Sequence, residues 1–450
     1  IDFQLALADI YLNLGDHEAA RSLSLQSNQM ARSMNRKVDQ VRSLLRLAHA
    51  HQMAGRYREA REALQRANGI EADLPPALRF DLLLANGIVG QRLGDLETAG
   101  RQFDQAARLL ADELPDDPSR RAQVALRLGA WHWSSGRIDR AETFYARALA
   151  ARQAQVPVPW PQVATAFMAH GSALYAQGEF DQARAEFEQA LDIRRRVLGE
   201  DHTQTAISLN YVGTALYELG RHERAEPLLQ QAVEIQQKAL PADSPARTGA
   251  LNNLGLVQRA LGKYAAATDN FRAALAINHG ALGERHPDVA NNLNNLGLIM
   301  IEQHKWEPAL AQFEQAAAIV RDARGEGHPD LGTPLTNQAR ILIVLERYDD
   351  ARPLLEQAYG LLTEVEPKHP RQIETLQWWA LADCLTGRSE DGLIRLAEAR
   401  DISQRKLQGD LQTLTELDAA AAACAGSPIS PPEGSPADLQ LILARLAPGR

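Results

Sequence analysis

Three rows of polar and aromatic residues recur along this chain at a spacing of 42. Asn210, Asn252 and Asn294 form the first, with Thr336 at the next step. Tyr211, Asn253, Asn295 and Asn337 form the second, and Trp133, Tyr175, Tyr217 and Arg259 the third. An asparagine amide both donates and accepts, so a row of them can hold a peptide backbone whatever its sequence. Tyrosine and tryptophan add apolar area with a polar tip, the character of binding hot spots. A second reading stays open: the asparagines bond to the neighbouring helix or connector and the aromatics fill gaps between helices.

Catalytic and metal chemistry find less support. Twelve histidines are present, but His202, His286, His328 and His369 stand at steps of 84, 42 and 41 residues, the same place in successive segments. Stacked helical layers lie about 10 Å apart, beyond the reach of one zinc ion, whose ligands sit at about 2 Å. A structural role is expected for them, with no metal and no cofactor. The carboxylates are dispersed, and no pair is set apart as a general acid and base would be. No phosphate-binding loop, GxSxG, HExxH, CxxC or kinase catalytic motif occurs. Arg194-Arg195-Arg196 ends a helical pattern, where cations are favourable, and reads as a solvated face. Cys384 and Cys424 lie in Ala/Leu-rich stretches and read as small core residues without a disulfide framework, which leans the expected compartment to the cytoplasm.

The elements that must position these rows are clearest in Leu251–Ile277, LNNLGLVQRALGKYAAATDNFRAALAI. Leu251, Leu254 and Leu261 share one helical face; Ala267, Phe271, Ala274 and Leu275 form a stripe on a second helix. Gly262 stands where the first helix must stop, since glycine accepts the left-handed cap conformation. Equivalent turn positions follow at steps of 39 to 42 residues: Gly15, Gly55, Gly94, Gly136, Gly178, Gly220, Gly262, His304, Glu346 and Gly387. Five residues after each comes Ala or Gly, from Ala20 to Gly392, then a large residue and another small one, as in Ala183, Phe187 and Ala190. Ten copies of small-large-small predict a solenoid of helical hairpins.

The small residue in the first helix, the glycine turn, Ala five later, Phe four beyond and Ala three beyond resemble the tetratricopeptide repeat. That repeat is usually about 34 residues; the longer period here, the LNNLG openings and connectors such as GERHPD and GEGHPD resemble the variant of kinesin light chains and bacterial regulatory proteins. The resemblance covers roughly residues 1–407. It implies an all-α, right-handed α-solenoid of about ten helix-turn-helix hairpins with a capping helix, together spanning 1–424. It also implies that the first helices line a concave groove, through residues three and two before, one after and four after their small residue. Those positions include Trp133, Tyr175, Asn210, Tyr211, Tyr217, Asn252, Asn253, Arg259, Asn294, Asn295, Asn337 and Arg340, the expected partner-binding set. By resemblance, Asn253, Asn295 and Asn337 would contact a bound backbone.

A net charge of −9 argues against a nucleic-acid surface, and no apolar run is long enough to span a bilayer. Beyond the repeats, Leu411–Cys424 reads as the lone capping helix, residues 425–436 as a Pro/Gly/Ser linker, and residues 437–450 as a short terminal helix and tail. The start at Ile1, directly on a helical pattern, reads as the edge of an excised part, with an upstream catalytic or regulatory domain expected. The expected function is a non-catalytic scaffold binding an extended peptide or partner segment. The alternative is the sensor or regulatory region of a larger bacterial signalling protein, a serine/threonine kinase or transcription regulator.

Overall fold

The computed structural model describes every residue except 15, 366–370, 407–410, 428–431, 433–434 and 447–450. The turn expected at Gly15, the connector His369-Pro370, half of the 425–436 linker and the tail end therefore lie outside the described residues. Among the described residues there are 22 α-helices and no strand. In the first three hairpins α1 (Asp2–Leu14) pairs with α2 (His17–Ser33), α3 (Lys37–Met53) with α4 (Tyr57–Asn68), and α5 (Pro76–Arg92) with α6 (Leu96–Glu113). The next three pair α7 (Pro118–Ser134) with α8 (Ile138–Gln153), α9 (Trp160–Ala176) with α10 (Phe180–Leu198), and α11 (Thr203–Glu218) with α12 (His222–Ala239). Then α13 (Thr248–Ala260) pairs with α14 (Tyr264–Leu282), and α15 (Pro287–Glu302) with α16 (Trp306–Arg324). The last two pair α17 (Gly332–Val344) with α18 (Tyr348–Val365) and α19 (Gln372–Leu385) with α20 (Ser389–Lys406); α21 (Leu411–Cys424) and α22 (Ala437–Leu446) follow. Contacts divide the chain into two compact units, Ile1–Glu200 and Asp201–Arg450.

Local chemistry sets each hairpin. Nine of the ten turn positions read from the sequence have left-handed backbone, Gly262 at φ 70°, His304 at 56° and Glu346 at 62° among them. The periodic alanines Ala183, Ala225, Ala267, Ala309 and Ala351 are fully buried. The small residue of each first helix has an equally physical cause. A Cβ at Gly213, Gly255 or Gly297 would lie 2.5, 2.8 or 2.7 Å from the side chain of Leu229, Phe271 or Phe313, sixteen residues later on the partner helix. The large residue drives into the space the glycine leaves, so the two helices close on each other.

The connectors are also capped from within. The Nδ1 atoms of His202, His286 and His328 accept from the backbone N–H of Gln204, Asp288 and Asp330, at 3.1, 3.2 and 3.2 Å. These histidines serve as N-caps in the sense that Ser or Asp more often does. Ser244 makes no side-chain cap: Pro245–Arg247 form a 3₁₀ turn and α13 starts only at Thr248. Arg194 is buried rather than solvated, whereas Arg195 and Arg196 pair with Glu200 and Asp192.

The cysteines require a correction. Cys384 and Cys424 form a disulfide that ties α19 to α21 across 40 residues. Both lie in apolar helical surroundings, as expected of core residues, but their Cα atoms are 5.3 Å apart, within bonding reach. The cysteine-based lean to a reducing compartment therefore falls away. No described helix is long and apolar enough to cross a membrane.

Candidate partner-binding face

Within the C-terminal unit, the asparagine rows build links between successive first helices. Asn253 on α13 donates to Asn210 and Thr214 of α11, both at 3.0 Å. Asn337 on α17 donates to Asn294 of α15 at 2.7 Å, the same step of 43 residues. The intervening link is different. Asn278 donates to Asn292 and Asn292 to Asn252, at 2.8 and 2.7 Å, so a chain through α14, α15 and α13 takes its place. Asn295 is left half-buried and makes no side-chain hydrogen bond to the described residues. Packing between repeats thus engages Asn210, Asn252, Asn253, Asn294 and Asn337, whereas Asn295 has no such bond among the described residues.

The third row lies at the turn end of the first helices. The ring of Tyr175 packs on Phe180 and that of Tyr217 on His222, each at 5.2 Å. Trp133 and Tyr175 belong to the N-terminal unit, and Trp133 is 39% exposed. Tyr211, on α11 of the C-terminal unit, is also 39% exposed. Arg259 is half-buried, and its charge acts on the Glu302 carboxylate; burial pushes that carboxyl above its usual range and Arg259 opposes the shift.

Arg340 and Asn337 sit differently from an open groove position: they are 5% and 3% exposed. The terminal helix α22 packs against α15, α17 and α19, all first helices, and Arg340 meets it. Its Nε and Nη2 donate to the two carboxylate oxygens of Asp438, at 2.5 and 2.8 Å, in a bidentate pair. Nη1 donates to Glu374 at 2.8 Å and to Asn337 at 3.3 Å, and the guanidinium lies 5.1 Å from the Trp378 ring. Burial opposes its charge, but Asp438 and Glu374 more than compensate and raise its pKa further. The sequence rows missed Asp438 and Glu374, which lie outside them, and stopped short of Trp378, which stands 41 residues after Asn337 at the next step of the second row.

Beside this cluster lies a cavity of about 480 Å³, lined by Asn291, Asn294, Thr336, Glu374 and Thr375 of the first helices, by Arg371 just before α19, and by Val320 and Arg324 of α16 and Leu362 of α18. Thr336 and Thr375 share a hydrogen bond of 2.8 Å across it. Its walls offer amide, hydroxyl and charged groups rather than a nucleophile set against a base. Among the described residues no group of three or more His, Cys, Asp or Glu could hold a metal ion.

Tetratricopeptide-repeat family patterns match residues 162–238 and 247–322, and a second such pattern matches 1–33. No curated protein matches the chain significantly. Among solved structures it is similar to the apo form of the quorum sensor NprR from B. thuringiensis, with TM-score 0.60 and 12% identity over 79% of this chain and 97% of that one. It is similar to a Rap protein complexed with competence and sporulation factor, with TM-score 0.57 and 15% identity over 84% and 100%. It is also similar to the kinesin light chain TPR-like repeats of Podosopora anserina, with TM-score 0.40 and 22% identity over 46% and 98%. With its helical hairpins, left-handed turns and small-large-small packing, the chain carries tetratricopeptide repeats, matched at residues 1–33, 162–238 and 247–322.

Proposed function

We propose that the chain is a non-catalytic interaction scaffold whose first-helix face, in the C-terminal unit, holds an extended peptide or partner segment. The observation that carries this is the cavity bordered by that face, where Asn291, Thr336, Arg371 and Glu374 of or next to the first helices line a space of about 480 Å³ together with Val320 of α16 and Leu362 of α18. Asn291 and Asn295 stand one helical turn apart on α15, and neither makes a side-chain hydrogen bond to the described residues. Two such amides can pair with successive backbone groups of a ligand without regard to its side chains. The set contains acceptors, donors and both charges, which suits a peptide better than a polyanion. The fold likeness to a Rap protein complexed with a factor supports the reading.

A second reading takes the chain as the sensor or regulatory region of a larger bacterial signalling protein; the fold likeness to a quorum sensor favours it. Both use the same face and differ in what the bound state controls. Partners retained by the full chain, then cross-linked to it, test the proposal. Cross-links on α13, α15 and α17 are expected, and cross-links confined to the second helices α14, α16 and α18 would overturn it.

A further inference from the structure

The terminal helix α22 is seated on three first helices by a mixture of charge and apolar area. Asp438, in its first turn, is fully buried in the pair with Arg340. Leu439, Ile442 and Leu443 are also buried, 2% exposed or less, and Leu446 completes an i, i+3, i+4, i+7 stripe packed on the same core. At its start, the Glu302 carboxylate lies near the Ala437 backbone, an acid placed at a helix N-terminus. At its end, Arg445 donates to the Val344 carbonyl at 2.9 Å. The polar partners among these, Glu302, Arg340 and Val344, belong to α15 or α17, Glu374 and Trp378 of α19 complete the seat around Arg340, and α21 also packs against α22.

We infer that this seat is itself a recognition site for a short amphipathic helix, which α22 fills from within and a partner helix of the same chemistry fills from outside. The partner segment carries a carboxylate in its first turn, followed by apolar residues one, four, five and eight positions later. The inference rests on the proposed role of the first-helix face and specifies what one part of it takes. Two features distinguish the seat from ordinary core. Arg340 and Asp438 form a buried ion pair, an arrangement that gives specificity more readily than stability. And α22 is ten residues long, too short to hold its helix alone in water, so its fold depends on the seat. Joined to α21 by the stretch 425–436, α22 is present at an effective concentration of about 1 mM. A free helix with an intrinsic Kd of about 10–100 μM would then bind the unaltered chain roughly 10- to 100-fold more weakly than an emptied seat.

The probe is a fluorescent synthetic peptide of residues 435–446, SPADLQLILARL, titrated into the full chain and into full-length Ile442→Asp, which places a charge in the apolar seat. The expected result is that Ile442→Asp binds the peptide at least tenfold more tightly than the unaltered chain. A peptide carrying Asp438→Asn should bind the Ile442→Asp chain about tenfold more weakly than the native peptide. No binding to an Ile442→Asp chain of unchanged helical content, or equal binding to both chains, would overturn the inference. Should Ile442→Asp not fold, hydrogen exchange on the unaltered chain decides. Faster exchange in α22 on adding saturating peptide supports displacement, and unchanged exchange refutes it. The groove reading stands or falls separately, on a partner's dependence on Asn291 and Asn295.

Discussion

Gly255→Ala isolates the packing rule that repeats through the chain. A Cβ at Gly255 would sit 2.8 Å from two carbons of the Phe271 ring and 3.1 Å from a third. Ordinary carbon contacts begin near 3.5 Å, so the ring or the helix must give by about 0.7 Å. Phe271 has nowhere to go: it is fully buried between Ala267 and Ala274, themselves fully buried. Overpacking of this kind costs about 1–3 kcal/mol, against a gain of about 0.5–1 kcal/mol for replacing glycine by alanine inside a helix. Gly360→Ala is the matched control. Gly360 lies within α18, exposed, and a Cβ there would meet nothing within 4 Å. It should therefore stabilise by about 0.5–1 kcal/mol, and the two substitutions should differ by the overpacking cost alone, about 1–3 kcal/mol. Urea unfolding followed by circular dichroism reads the midpoints, and the cycle with Phe271→Ala reads the coupling. The clash account fails if Gly255→Ala stabilises as much as Gly360→Ala, or if its effect persists unchanged once Phe271 is removed.

Three further outcomes follow from particular contacts. His170, 14% exposed, lies 3.0 Å from Glu142 and 3.3 Å from Glu186. The Glu186 carboxylate beside it raises its pKa above the usual 6.5 against the opposing effect of burial, and Glu142 adds to the rise. Its stabilising contribution is thus fully present below about 6.5 and lost as pH rises through the raised value, so the melting-point gap between wild type and His170→Gln should narrow with increasing pH; a gap that widens refutes the assignment. Opening the Cys384–Cys424 bridge by reduction should destabilise the C-terminal unit by about 2–4 kcal/mol, given a closed loop of some 40 residues, and leave Cys384→Ser/Cys424→Ser insensitive to reductant. His328→Ala should lower stability by about 1 kcal/mol through loss of its cap, while a chelator changes neither melting temperature nor partner binding; a stoichiometric metal whose removal destabilises the protein would contradict the capping role.

The parts legible in the sequence were those that local rules repeat. The turn positions could be placed because a left-handed residue is needed once per hairpin, and even His304 and Glu346, at φ 56° and 62°, could be found by step alone. The glycines of the first helices and the large residues sixteen positions later belong to one contact, so their periodicity is a record of packing. What the sequence hid is non-periodic. The pairing of Cys384 with Cys424 depends on α21 lying against α19, which no spacing announces. The burial of Arg340 depends on α22 returning to a helix row that its own residues do not identify. The asparagines were ambiguous because an amide suits a ligand and a neighbouring helix equally; only the distances show Asn253 and Asn337 bonded between repeats.

The claim that the first-helix face binds a partner is tested most directly by the affinity of a retained partner for Asn291→Ala/Asn295→Ala. Both side chains lie on α15 without a hydrogen bond to the described residues, so the melting temperature should hold. Two neutral hydrogen bonds lost at about 0.5–1.5 kcal/mol each should weaken binding roughly tenfold by titration calorimetry. Glu314→Ala, exposed on α16, should change nothing. Affinity that survives the double substitution, on a chain that melts like the parent, would contradict the assignment of this face.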